Sequence, residues 1–149
     1  MRLFKRRLGS IEVAESADPS SERSTILVVD GEVLVRHAIA DYLRSCGYVV
    51  VEGANSDEAL AVLEQPNLPV EAILCDVAIA GSLNGFQLVH WVKEHRPELQ
   101  VILSGNISHA ADAAADLCEQ GPHVQRPYDP QGVVDYIKRL IAGRERNSG

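Results

Sequence analysis

No apolar run in this sequence approaches the ~20 residues that a membrane-spanning helix needs. The basic start, Arg2 to Arg7, is not followed by the longer apolar centre of a secretory signal. A cytoplasmic protein with no membrane partner is therefore expected. Basic surface is scarce as well. Of 14 basic and 21 acidic groups, residues 1–24 hold five and four, which leaves 9 against 17 for the rest of the chain. Such a body is a poor match for phosphate backbones, so no nucleic-acid partner is expected. No glycine-rich phosphate loop of the P-loop or dinucleotide type is present, and Ser104-Gly105 has none of the surroundings of a nucleophile elbow. The five histidines do not pair with cysteines or acids at zinc-like spacing. Cys46, Cys75 and Cys118 are odd in number and widely spaced, two of them in apolar context. They read as reduced, buried thiols.

What remains is one domain's worth of chain, 149 residues at 46% hydrophobic, with an appendage in front. Residues 1–24 form a basic arm, in which Leu3, Phe4, Leu8 and Ile11 suggest a short apolar stripe, and a small polar linker. From Thr25 onward the chain alternates between strand and helix signals. Thr25 to Val29 is a β-branched run that reads as a fully buried strand and ends at Asp30. Val33, Leu34, Ala38, Ile39, Tyr42, Leu43 and Cys46 recur at helical spacing, and Gly47 stops them. A second strand follows from Tyr48 to Val51, and Asn55 with Glu58 starts a second helix.

The third strand, Ala72 to Cys75, ends in Asp76, and small residues and two glycines lead to a helix from about Phe86 to His95. A fourth strand, Gln100 to Leu103, ends at Ser104. The next helix, about Ser108 to Glu119, is alanine-rich and is expected to pack lightly. A short strand around His123 to Gln125 precedes Arg126, and Asp129-Pro130 opens a last helix with Val133, Val134, Ile137, Leu140 and Ile141 as its stripe. The polar residues 143–149 read as a fraying tail. Five strand–helix pairs predict an α/β fold, a doubly wound, five-stranded parallel sheet covered on both faces.

The chemistry follows from the strand ends. Parallel strands align their carboxyl ends, so Asp30, Asp76, Ser104 and Arg126 should surround one crevice. Two carboxylates, a hydroxyl and a cation suit Mg2+ and a phosphoryl group. A carboxylate can also accept a phosphoryl group as an acyl phosphate.

In ILVVDGEVLVRHAIADYL, GYVVVEGANSDEALAVL, ILCDVAIAGSLNGFQLV, VILSG and RPYDPQGVVDYIKRL, spanning about residues 25–142, the sequence resembles the receiver domains of two-component response regulators. The resemblance implies a flavodoxin-like fold with strand order 2-1-3-4-5. It implies that Asp76 accepts a phosphoryl group from a histidine kinase or phosphotransfer protein. Mg2+ would be held by Asp30, Asp76 and the carbonyl of Ala78, and Ser104 would move toward the new phosphate. Four positions depart from the family pattern. Gly31 stands where a second acid is usual, and Glu32 is either its replacement or a solvated first-turn acid. Arg126 replaces a lysine, Ala80 a loop proline, and His123 an aromatic switch residue. Ala80 predicts a more flexible loop after Asp76.

The expected function is signalling rather than enzymatic: a bacterial phosphorelay response regulator without an output domain, acting through protein–protein interaction. A homodimer formed through the last helix or the arm is a further expectation. The alternative is a phosphorylation-independent interaction module of the same fold, its site disabled by Gly31 and Arg126.

Overall fold

The computed structural model describes residues 24–121 and 130–148. The arm, the expected fifth strand with His123 and Arg126, and the cap Asp129 lie outside the described residues.

Four strands form a parallel sheet: β1 (Thr25–Val29), β2 (Val49–Gly53), β3 (Val70–Asp76) and β4 (Gln100–Ser104), in the order β2-β1-β3-β4. This is the expected order for the described strands. The continuous apolar run of β1 is explained by its place: it pairs with β2 on one side and β3 on the other, and all five residues are buried. Helices α1 (Val33–Ser45), α2 (Ser56–Leu63), α3 (Gly85–His95), α4 (Ile107–Gln120) and α5 (Pro130–Ser148) cover the sheet. Alternate residues of each strand point to opposite faces. Ile26, Val28, Ala72 and Leu74 meet α1, α4 and α5 on one face, whereas Leu27, Val29, Ile73 and Cys75 meet α2 and α3 on the other.

Side-chain caps set where the helices begin. Asn55 Oδ1 accepts the Glu58 amide at 2.9 Å, Asn84 and Gln87 exchange bonds in a capping box, and Asn106 Oδ1 accepts the His109 amide at 2.8 Å.

Three expectations need correction. The alanine-rich α4 is not lightly packed: Ala110, Ala111, Ala113, Ala114, Ala115, Leu117 and Cys118 are all buried. Alanine leaves so little between helix axis and sheet that α4 lies close against β3 and α1, and the small side chains are the reason for the burial. The reading of three reduced thiols fails as well, because Cys46 and Cys118 form a disulfide across 72 residues, with Cα atoms 5.5 Å apart. The pair joins the end of α1 to the last turn of α4, and Tyr48 Oη donates to the Leu117 carbonyl beside it. Only Cys75 is a free, buried cysteine among the described residues, and burial pushes its thiol up to about 12. Finally, α5 does not stop near Ala142 but continues to Ser148. Arg144 in that added length makes a cross-helix ion pair described below.

Candidate functional site

The strand register decides which side chains meet. Asp76 is the last residue of β3 and Ser104 the last of β4, and the two are direct Cα partners. Asp30 follows β1 immediately, where its amide donates to the Gly53 carbonyl at 3.0 Å. Because β1 and β3 are neighbours in register, with Val29 beside Cys75, the two carboxylates emerge side by side. Asp30, Glu32, Asp76, Ala78 and Ser104 line one cavity of about 250 Å3, closed by Val35 and the start of α4. Four of the expected site residues, Asp30, Asp76, Ala78 and Ser104, are thus brought together. Arg126 and His123 fall outside the described residues.

The electrostatics follow from this crowding. Burial pushes the Asp30 carboxyl up to about 6, and the neighbouring charges of Asp76 and Glu32 push in the same direction. The Glu32 amide, donating to Asp30 Oδ1 at 2.9 Å, opposes this. Arg36 grips the Asp30 carbonyl at 3.1 Å while bonding Glu52, so the end of β1 is held from the side of α1. Among the described residues, no hydrogen bond or ion pair engages the Asp76 carboxylate.

Glu32 lines the cavity, but its carboxylate is already engaged. It caps α1, accepting the Leu34 amide at 3.2 Å, and pairs with Arg144 of α5 at 2.6 and 3.1 Å. The Arg144 guanidinium holds the Glu32 carboxyl below its usual range. Arg144 is the residue that sequence reasoning missed. It stands 112 residues from its partner, in a stretch read as a fraying tail, and no local pattern marks it.

The loop after Asp76 is also tighter than Ala80 suggested. The Ala80 carbonyl accepts the Ser56 amide at 3.0 Å, and Ser56 Oγ in turn accepts the Leu83 amide at 3.0 Å. Asp57 receives both the amide and the hydroxyl of Ser82, at 3.2 and 2.6 Å. The first turn of α2 supplies the rigidity that a proline would have supplied. Gly81 completes the turn with φ of 115°, a conformation that side chains rarely adopt.

The site belongs to the class of open α/β folds that place acids and a hydroxyl at the carboxyl edge of a parallel sheet, and comparison with known proteins assigns the family. The chain belongs to the response regulator receiver domain family, whose model matches residues 26–138. It is 29% identical over 118 residues to a putative NtrX-like response regulator of Rickettsia felis, covering 76% of this chain and 24% of that protein. It is 30% identical over 120 residues to the transcriptional regulatory protein AruR of Pseudomonas aeruginosa, covering 78% and 48%. The chain therefore spans half or less of the length of these curated relatives. Among solved structures, a receiver domain protein from Clostridium thermocellum superposes with a TM-score of 0.51 at 21% identity, covering 82% of this chain and 97% of that one. The fold is the flavodoxin-like receiver fold of bacterial two-component systems.

Proposed function

We propose that this chain is a phosphorylated receiver in which Asp76 accepts a phosphoryl group from a histidine kinase or phosphotransfer protein and passes the signal on by protein–protein contact. The observation that carries the reading is the placement of Asp76 beside Asp30 and Ser104 in one cavity. An Asp76 oxygen attacks phosphorus, a P–O bond forms, and the P–N bond of the donor's phosphohistidine breaks with its electron pair returning to the imidazole. The Ser104 hydroxyl, buried at the end of the neighbouring strand, is suited to donate to a phosphoryl oxygen.

Receiver domains generally bind Mg2+ at their acidic pocket. The donors present here fit that ion: the carboxylates of Asp30 and Asp76, the backbone carbonyl of Ala78, and space for the waters Mg2+ commonly keeps. When bound, Mg2+ would offset charge on the phosphoryl oxygens. Asp30 must be ionised for this role, and Arg36 holds its backbone in place.

One observation favours the second reading, a phosphorylation-independent interaction module. Gly31 offers no side chain, and Glu32 is committed to Arg144 and Leu34, so the pocket has two carboxylates available for a metal rather than three. Intact mass after incubation with Mg2+ and a phosphodonor such as acetyl phosphate, or a panel of kinases, separates the two. A phosphate gain of one that vanishes in Asp76→Asn supports the phosphorylated receiver. No Asp76-dependent gain with any donor overturns it.

A further inference from the structure

Away from the acidic cavity, α3 carries an apolar surface that the proposed phosphorylation does not use. Phe86 is 66% exposed in the first turn of α3, although a phenyl ring of that exposure is costly in water. With Leu83, Gln87, His90, Trp91 and Glu94 it lines a groove of about 380 Å3. Trp91, one of the lining residues, stacks on His95 with ring centroids 4.3 Å apart. The acid in the groove's lining is Glu94, paired with His90 at 3.2 Å, and residues 25–149 as a whole carry 9 basic against 17 acidic groups, a net of −8.

The chain itself holds a segment with the opposite character. Residues 1–13, MRLFKRRLGSIEV, carry Arg2, Lys5, Arg6 and Arg7 against Glu12, a net of +3. Phe4, Leu8 and Ile11 fall at i, i+4 and i+7, the spacing with which a helix lays one face into a groove. Residues 14–23 can span about 33 Å, and an 11-residue helix such as α3 is about 16 Å long. The helix also runs back toward the edge of the sheet at which Ser24 leads into β1.

We infer that the groove formed by Phe86, Trp91 and Glu94 on α3 is the docking site for the basic N-terminal segment of the same chain, with Phe4 and Leu8 against the rings and the arginines beside Glu94. This inference does not depend on phosphorylation of Asp76. The segment's apolar residues suit the groove's rings, and its charge of +3 is opposite to the net −8 of residues 25–149.

The sole tryptophan of the chain lies in the groove, which makes the test direct. In the full chain, acrylamide quenching of Trp91 is compared with that of the double variant Phe4→Asp/Leu8→Asp, and separately with Arg6→Glu/Arg7→Glu. Far-ultraviolet circular dichroism verifies an intact fold in each. Docking predicts about a twofold rise in the quenching constant for the first variant and a smaller rise for the second, with wild-type protection unchanged on hundredfold dilution. Equal quenching in all three proteins overturns the proposal. Protection that is lost on dilution overturns it too, because the groove would then be covered by a second copy.

Discussion

Glu32, on the wall of the acidic cavity, forms a bidentate ion pair with Arg144, guanidinium nitrogens at 2.6 and 3.1 Å from the two carboxylate oxygens. The pair ties the last helix to the N-cap of α1 and engages the acid that, among the described residues, is placed to replace the family's second metal-binding carboxylate. Cutting it should therefore alter ion binding more than stability, since exposed ion pairs contribute little to folding. Arg144→Ala is expected to tighten Mg2+ binding about three- to tenfold by freeing Glu32 and removing a nearby cation. Glu32→Gln/Arg144→Ala should lose that gain. Titration calorimetry of both variants is the measurement, and equal affinity in wild type and Arg144→Ala would show that Glu32 cannot turn inward.

Asp30 gives the site a pH dependence with a definite sign. Its carboxyl is pushed up to about 6 from an ordinary value of 3.8, chiefly by burial. A raised pKa means that the folded protein holds a proton the unfolded chain has lost, so stability is fully present below about pH 4 and falls as pH rises through about 6. Solvent screening of this part-exposed group reduces the loss to about 1–2 kcal/mol. Asp30→Asn should remove this slope and make the metal-free protein more stable at pH 7.5. Urea denaturation at pH 4.5 and 7.5 reads both effects. Mg2+ binding should move the opposite way, tightening between pH 5.5 and 7.5 as Asp30 ionises.

The elements around the cavity were legible because their signals are local. A β-branched run ending in a carboxylate marks β1 and Asp30, and another apolar run ending in Asp76 marks β3. Strand polarity then places Asp76 beside Ser104 without any knowledge of loops. What was not legible depends on pairs remote in sequence. Cys46 and Cys118 are 72 residues apart, and nothing in either neighbourhood shows that α1 and α4 end together. Alanine misled for a related reason: a small side chain marks weak burial by area but permits close approach, and in α4 the second effect governs. Ala80 alone predicts a flexible loop after Asp76, whereas Ser56 and Asp57 of α2 hold it.

The disulfide makes a quantitative prediction from its loop. Cross-linking residues 72 apart restricts the unfolded chain, and typical effects are about 2–4 kcal/mol. Reducing the folded protein, or replacing both cysteines by serine, should lower the stability by that order in urea denaturation. Thiol titration without reductant should find no reactive group in the native state, because Cys75 is buried with its thiol pushed up to about 12. One thiol should appear on unfolding. Three thiols on unfolding would mean that Cys46 and Cys118 are not paired.

Gly81 makes the turn in the loop that carries Ala78. A methyl group there would lie 2.3 Å from Ser56 Oγ and 3.0 Å from Asp57 Oδ2, at a φ of 115°. Gly81→Ala is therefore strained twice, by backbone and by contact, and should cost about 1–3 kcal/mol. The same displacement would pull Ser82 from Asp57, and the Ala78 carbonyl would lose its fixed position. Weaker Mg2+ binding should accompany the lower stability. A variant as stable as wild type in urea would show that the loop has other ways to turn.

Gly31 tests whether the missing carboxylate is a loss the fold can reverse. A Cβ built at this position meets only the Ala54 carbonyl, at 3.6 Å, an ordinary contact, and Gly31 has no positive φ to forbid a side chain. Gly31→Asp should therefore fold with little penalty and place a third carboxylate near Asp30 and Asp76. The added charge should tighten Mg2+ about tenfold or more and raise the rate of Asp76 phosphorylation by acetyl phosphate. It should also push the Asp30 carboxyl further up in the metal-free state, because another acid joins the same cavity. Calorimetric Mg2+ affinity and phosphorylation rate, each measured beside Gly31→Asn, isolate the charge from the change in backbone freedom. If Gly31→Asp and Gly31→Asn bind Mg2+ equally, the new side chain points away from the site, and Gly31 is then no longer the reason for the cavity's low carboxylate count.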